Sequence, residues 1–240
     1  MNSLKSTAEL KGIAKEQSLG KYGTLIGANV MIFAIQILAT GFTTVASGRS
    51  IPLIIINNII TIIVNILLGL LVSGKAFLYM NLLYSQTVST SDVFFGLRKE
   101  PQKAVQIQAF FVVIDFIVTI PGQILLILYQ RNRSANLLVA VILAFFLALV
   151  VNVLVYLTYS QAFFLLHDFP GRSAKELLAT SRRLMQGHKF KLFYLNVSFV
   201  PLEILGCLAI FVPLLWISVY RYATTCAFYQ DLVAAAARES

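Results

Sequence analysis

Few side chains in this sequence are of the types that carry out chemistry, and their spacing matches no catalytic motif. His167 and His188 are the only histidines, and Cys207 and Cys226 are the only cysteines. None is spaced as a metal ligand, and no nucleophile elbow, phosphate-binding loop or zinc-protease motif occurs. His167 with Asp168 is typical of a helix end, where the dipole favours a cationic imidazole. We therefore expect no enzymatic activity, no cofactor and no metal site.

Charged side chains embedded in long apolar runs are better candidates: Asp115, Glu203, Arg221 and Lys75. Ionisable groups inside membrane spans are costly and commonly functional. We expect Arg221 to pair with Glu203 or Asp115, because an unpaired charge in lipid is unfavourable. Lys75 lies near the end of its run, where its stem can snorkel toward the headgroups. Two interpretations remain open: a solute-binding or coupling site in an interior cavity, or an ion pair that fixes helix register.

The elements that hold these charges are apolar runs typical of membrane helices. The 240 residues are 58% hydrophobic and only 12% charged, about half the charged fraction of a soluble domain. A membrane helix needs about 20 apolar residues. We therefore predict an all-α membrane protein, residues 1–240 forming one domain of six transmembrane helices. The runs lie at about 22–40, 51–84, 104–128 and 137–166, with a final hairpin within 190–233 that turns near 206–212.

A short polar pattern recurs before each pair of runs. A serine is followed three residues later by an acid, as in a capping box, and nine residues later by a basic residue. The copies begin 83 and 84 residues apart. This predicts three parallel repeats, at about 6–84, 89–167 and 173–233, each with a cytoplasmic amphipathic helix before a hairpin. The capping pairs are Ser6 with Glu9, Ser89 with Asp92, and Ser173 with Glu176.

The basic residues are distributed unequally between the two sides of the predicted bundle. Thirteen Lys or Arg lie in the segments on the side of the N-terminus, against three on the other side, Arg49, Arg131 and Arg133. The positive-inside rule therefore predicts that both termini are cytoplasmic.

The formal net charge of +9 lies mostly in short segments between apolar runs, which favours lipid headgroups over nucleic acid as partner. The third amphipathic segment can lie in the interface, with its basic residues toward anionic lipid. It can equally pack under the bundle with its charges solvated. The candidate headgroup contacts are Lys175, Arg182, Arg183 and Lys189.

The C-terminal third contains SRRLMQGHKFKLF at residues 181–193 and LNVSF at residues 195–199, followed by several aromatic residues. In these residues it resembles the bacterial DUF975 family of integral membrane proteins. It departs from the family pattern at Val200-Pro201, where the pattern has Gly-Trp. The resemblance implies a multi-pass protein of the bacterial cell membrane and adds no mechanism. The residues it singles out are Ser181, Gly187, His188, Ser198, Phe199, Tyr220, Phe228 and Tyr229.

Two functional classes remain. Parallel repeats around an axis favour a small-solute transporter or a channel-like protein. The alternative is a scaffold, assembly factor or lipid-interacting protein that does not transport; no protein partner is predicted for it. A polar cavity lined by Asp115, Glu203 and Arg221 would favour transport, and a dry, closely packed axis would favour the scaffold.

Overall fold

The computed structural model describes residues 4–44 and 51–239, and all regular structure within these ranges is helical. Arg49, counted above on the less basic side, lies outside them. The first half contains helices α1 (Thr7–Ser18), α2 (Tyr22–Thr44), α3 (Ile51–Leu67) and α4 (Gly69–Leu83), a 3₁₀ turn (Thr90–Phe94), α5 (Phe95–Arg98) and α6 (Pro101–Asn132). The second half contains α7 (Ala135–Tyr159), α8 (Ala162–Asp168), α9 (Ala174–Leu184), α10 (Lys189–Val197), α11 (Val200–Leu208) and α12 (Leu214–Glu239).

Within residues 4–44 and 51–239, five helical segments are long and apolar enough to cross a membrane: Tyr22–Gly41, Ile55–Leu83, Pro101–Asn132, Ala135–Asp168 and Lys189–Leu208. They indicate a membrane protein, as the sequence predicts.

The sixth predicted span, α12, is not among these five segments, so length and composition support only five of the six predicted spans. Arg221, Gln230 and Asp231 make α12 more polar than the others. The middle of the helix is nevertheless enclosed by protein, since residues 223–229 are all buried. A helix surrounded by other helices does not need an apolar surface on every side.

Three of the five spans are interrupted. The breaks lie at Leu68 between α3 and α4, at residues 160–161 between α7 and α8, and at residues 198–199 between α10 and α11. At the first break α4 begins against α6, and a Cβ on Gly69 would lie 2.3 Å from the Cβ of Gln108. Only glycine permits this approach. The apolar run 51–84 is therefore two helices instead of one.

α1, the 3₁₀ turn and α9 pack at the same end of the bundle, which we call the capped end. The backbone N–H of Lys5, just before α1, donates to Asp231 near the end of α12 at 2.7 Å. The Ser181 hydroxyl of α9 donates to the Thr158 carbonyl near the end of α7 at 3.1 Å. These contacts join the beginning of the chain, its middle and its C-terminal helix.

The prediction of an amphipathic helix in the second repeat is wrong. Residues 90–98 form a 3₁₀ turn and one helical turn, seated tightly on α4. A Cβ on Gly74 would lie 1.7 Å from the Val93 carbonyl oxygen, and one on Gly96 would lie 2.2 Å from the Leu70 carbonyl oxygen. The segment ends where Glu100 takes a left-handed conformation and Pro101 begins α6. The helical part of residues 90–98 is therefore too short to form the predicted amphipathic helix.

Burial is concentrated toward the capped end. The largest fully buried side chains include Tyr79, Leu165, Phe199, Phe228 and Tyr229. Toward the opposite end, which we call the open end, the helices expose large apolar side chains such as Phe33, Ile59, Ile117, Phe146 and Leu205. This distribution suits hairpins that are packed together at one end and surrounded by lipid at the other.

Around the bundle, each helix contacts the next in the order α2, α3, α6, α7, α10 and α12, and α12 contacts α2 again. α4 contacts α6, α8 and α12. α11 completes the last hairpin by packing on α12.

Candidate functional site

A polar cavity of about 610 Å³ lies between α4, α7, α11 and α12. Its charged lining consists of Lys75 from α4, Glu203 from α11 and Arg221 from α12. Tyr156 and Tyr222 add phenol groups, and Ser218 and Thr225 add hydroxyls. Each charged residue comes from a different helix, so the cavity depends on the tertiary fold and not on a local motif.

Lys75 lies in this cavity instead of reaching the headgroups. Its ammonium nitrogen is 4.5 Å from the centre of the Tyr222 ring, a cation–π contact. Among the described residues no carboxylate forms an ion pair with Lys75. A lysine that lines a cavity without a carboxylate partner leaves a positive charge available to a ligand.

Arg221 and Glu203 form an ion pair across the α11–α12 hairpin. Arg221 Nη1 donates to Glu203 Oε1 at 2.7 Å. The two side chains keep 43% and 32% of their surface exposed, because both face the cavity. The cavity therefore holds two cations and one carboxylate, and its charge balance favours an anion.

Asp115 does not belong to this group, and its predicted place in the charge network is wrong. Its carboxylate accepts a hydrogen bond from the amide of Asn152 at 2.7 Å, within the α6–α7 hairpin. Asp115 is exposed and does not line the cavity. The two helices of this hairpin are in contact with each other, so the neutral amide of Asn152 on α7 satisfies the carboxylate.

A buried polar network that sequence reasoning missed borders the cavity. The Asn29 amide of α2 donates to the Tyr79 hydroxyl at 3.0 Å and to the Ser218 hydroxyl at 3.3 Å. Ser218 also lines the cavity. Asn29 is thereby held between α4 and α12. These residues are far apart in the sequence, so no spacing pattern signals their contact.

The three predicted capping pairs are hydrogen-bonded in the structure. Ser6 and Glu9, and likewise Ser173 and Glu176, exchange the two reciprocal bonds of a capping box at the starts of α1 and α9. Ser89 and Asp92 form the corresponding box at the start of the 3₁₀ turn. Hydrogen bonds from Ser6 lower the pKa of Glu9, and those from Ser173 lower the pKa of Glu176. Each box supplies an acceptor for backbone N–H groups that the helix leaves unpaired.

The residues singled out by the family resemblance lie mainly in packing contacts at the capped end. The Tyr229 hydroxyl of α12 donates to Asp168 at the end of α8 at 2.5 Å. The ring of Phe199 meets Tyr220 edge-on at 5.2 Å, and the ammonium of Lys11 lies 4.2 Å from the Phe199 ring centre. These contacts join α1, α8 and the junction of α10 and α11 to α12.

The remaining members of that set shape the backbone or fill the core. Gly187 takes a φ of 78°, in the left-handed region that glycine favours, in the turn between α9 and α10. Ser198 bonds the Leu195 carbonyl at 2.6 Å where α10 ends. Phe228 is fully buried and His188 is half-buried. None of the set lines the cavity.

The histidines and cysteines form no metal-binding cluster in the part of the chain that the structure describes. His167 Nε2 donates to the Ser73 carbonyl at 2.8 Å, so it joins α8 to α4. Cys226 is buried in the core, whereas Cys207 is exposed and lines the cavity. The Cys207 thiol is thus a natural probe of the cavity.

Comparison with known proteins gives one match. A family model described as a protein of unknown function, DUF975, matches residues 1–236. No curated protein matches the chain, and no solved structure does so. The resemblance seen in the C-terminal third thus extends over nearly the whole chain.

Proposed function

We propose that this chain, which belongs to the DUF975 family of proteins of unknown function, binds a small anionic solute in its intramembrane cavity and carries it across the membrane. The observation that supports the proposal is the placement of Lys75 and Arg221 around one cavity with a single carboxylate, Glu203. Charges are expensive inside a bilayer. A cavity with an excess of one cation is stabilised by an anion that enters it. The proposal assigns no catalysis to the chain.

We place the protein in the cell membrane with six spans, α12 being the sixth, and with both termini in the cytoplasm. The burial of α12 by its neighbours supports the sixth span, and the excess of Lys and Arg at the capped end supports the orientation. The order of elements supports three parallel units, because α1, the 3₁₀ turn and α9 each precede a hairpin. A reporter fused after residue 240 that is active only outside the cell would contradict this orientation.

The flux test uses purified protein in liposomes and records currents on a solid-supported membrane. The probes are inorganic phosphate, chloride and succinate, with choline as the cationic control. We expect an anion-dependent current that Lys75→Gln reduces about tenfold, equivalent to about 1.4 kcal/mol of lost interaction. Arg131→Gln removes the same charge at the exposed end of α6 and should leave the current unchanged.

A thiol test measures the sign of the cavity charge directly. Cys207 should react with water-soluble methanethiosulfonates, and the anionic reagent should react roughly tenfold faster than the cationic one, since a positive site concentrates anions. Lys75→Gln should reduce this preference. Cys226 is buried, so Cys207→Ser should abolish labelling. A preference for the cationic reagent would contradict an anion site.

The alternative function is that of a scaffold, assembly factor or lipid-interacting protein that does not transport. The densely packed capped end favours it, because this end joins α1, α8, α9 and α12. The residues of the family pattern lie in this packing and do not line the cavity. Arg221→Ala separates the two functions. Loss of flux with normal amounts of folded protein supports transport. Absence of flux in the native protein supports the scaffold, whatever the folded yield of Arg221→Ala.

A further inference from the structure

A second cleft, separate from the charged cavity, lies between α6 and α9. Its volume is about 890 Å³, within the usual range of ligand clefts. The apolar part is lined by Phe110, Val113 and Ile114 of α6 and by Leu178 of α9. Val113 is 46% exposed. The cleft is therefore an apolar groove that this chain leaves uncovered.

One side of the groove is basic. Lys175, Arg182 and Arg183 of α9 line it, and no acidic side chain in the described part of the chain does so. All three cations are exposed, and none is in an ion pair among the described residues. The nearest acid in sequence, Glu176, is held in the capping box with Ser173. Lys189, predicted to act with these residues, does not line the groove.

The groove lies near the capped end of α6, which matches the depth at which a membrane lipid changes from polar to apolar. α6 begins at Pro101 at the capped end, and the groove follows residues 106 to 114, a rise of about 12 Å along the helix. Tyr159 lines it as well and packs edge-on against Phe110 at 4.8 Å. Aromatic rings with a polar tip favour this boundary.

We propose that this groove binds one anionic phospholipid, with an acyl chain along α6 and the phosphate against the basic side of α9. The apolar lining and the three unpaired cations match the two parts of that molecule, and a zwitterionic lipid offers these cations no net charge. The bound lipid covers the exposed face of α6 and fixes α9 against the bundle. This site is independent of the solute cavity, so it stands or falls separately from the proposed transport.

Native mass spectrometry of the delipidated protein, titrated with phosphatidylglycerol or phosphatidylcholine, tests the proposal. We expect one tightly held phosphatidylglycerol per chain and weaker binding of phosphatidylcholine. Removing two charges with Arg182→Gln and Arg183→Gln should weaken phosphatidylglycerol binding roughly 25-fold, at about fivefold per charge. The matched control, Arg131→Gln with Arg133→Gln, removes the same charge at the other end of α6.

Two further variants separate the groove from general surface charge. Ala179→Trp fills the groove without changing its charge and should also weaken binding, whereas Arg182→Lys with Arg183→Lys should retain it. Equal losses in the control and in the Gln variant would overturn the proposal, since surface charge alone would then explain binding. So would unchanged lipid binding in Ala179→Trp, and a change in its oligomeric state would then assign the groove to a second copy of the chain.

Discussion

The ion pair between Arg221 and Glu203 permits a quantitative test of whether the cavity is held together by charge. At 2.7 Å the Coulomb energy of two unit charges is about 6 kcal/mol at an effective dielectric constant of about 20. The side chains remain 43% and 32% exposed, so water in the cavity screens them. Fully exposed pairs contribute about 0.2–1 kcal/mol, and loss of one partner of a buried pair costs about 3–5 kcal/mol. We therefore expect a coupling energy of about 2 kcal/mol.

The perturbation is a double-mutant cycle of Arg221→Ala and Glu203→Ala. Each single variant leaves one charge without its partner, so each should lower stability by about 2–3 kcal/mol. For a chain of this size that loss lowers Tm by roughly 5–10 °C. The double variant removes both charges and should be about 2 kcal/mol more stable than the sum of the single losses predicts.

Thermal unfolding in a mild detergent, followed by tryptophan fluorescence, provides the measurement. Trp216 is the only tryptophan and lies on α12 a little more than one turn before Arg221, so its emission reports on the α11–α12 hairpin. Asp115→Ala, which removes a carboxylate bonded to Asn152, is the control and should show no coupling to Arg221→Ala. Additive losses in the Arg221 and Glu203 cycle would refute the reasoning, because the close contact would then carry no interaction energy.

Three further predictions concern the capped end. Gly74→Ala should destabilise the protein by more than about 2 kcal/mol in thermal unfolding, because its Cβ would lie 1.7 Å from the Val93 carbonyl oxygen; a neutral effect would show that α4 and the 3₁₀ turn are not in contact. Gly12→Ala, with nothing within 4 Å of the new Cβ, should instead stabilise α1 by up to about 1 kcal/mol, and a loss of stability would contradict the open position of this residue. The lowered pKa of Glu176 means that its capping bond is fully present above the usual carboxyl pKa and is lost as pH falls through the lowered value; Tm should therefore drop on acidification through this range, and by less in Ser173→Ala.

The features that were predictable from the sequence depend on neighbours along the chain. Ser173 and Glu176 are three residues apart, and the geometry of a helix start brings such a pair together wherever a helix begins. Arg221 and Glu203 lie on the two arms of one short hairpin, so opposite charges at corresponding depths meet.

The features that could not be predicted depend on contacts between distant elements. Lys75 reaches Tyr222 only because α4 packs on α12, and no spacing pattern reports such packing. Asp115 bonds to an amide of α7, Asn152, instead of a cation, and a rule that pairs opposite charges does not predict such a neutral partner. The second predicted amphipathic helix failed because a 3₁₀ turn begins with the same capping pattern as a helix. The pattern fixes where a turn starts and carries no information on its length.

The long helices are packed together at the capped end and exposed to lipid at the open end. A small rotation at the capped end therefore produces a larger displacement at the open end. α6 has 32 residues and is about 48 Å long. A rotation of about 5° at the capped end moves its far tip by about 4 Å, a distance comparable with the size of a small ion. Small adjustments at the capped end, where α9 and the Tyr229–Asp168 contact lie, are thus amplified at the open end. Forces from the surrounding bilayer act at the open end of these helices, far from the capped end. A small rotation at the capped end is therefore enough to change the spacing of the hairpins at the open end.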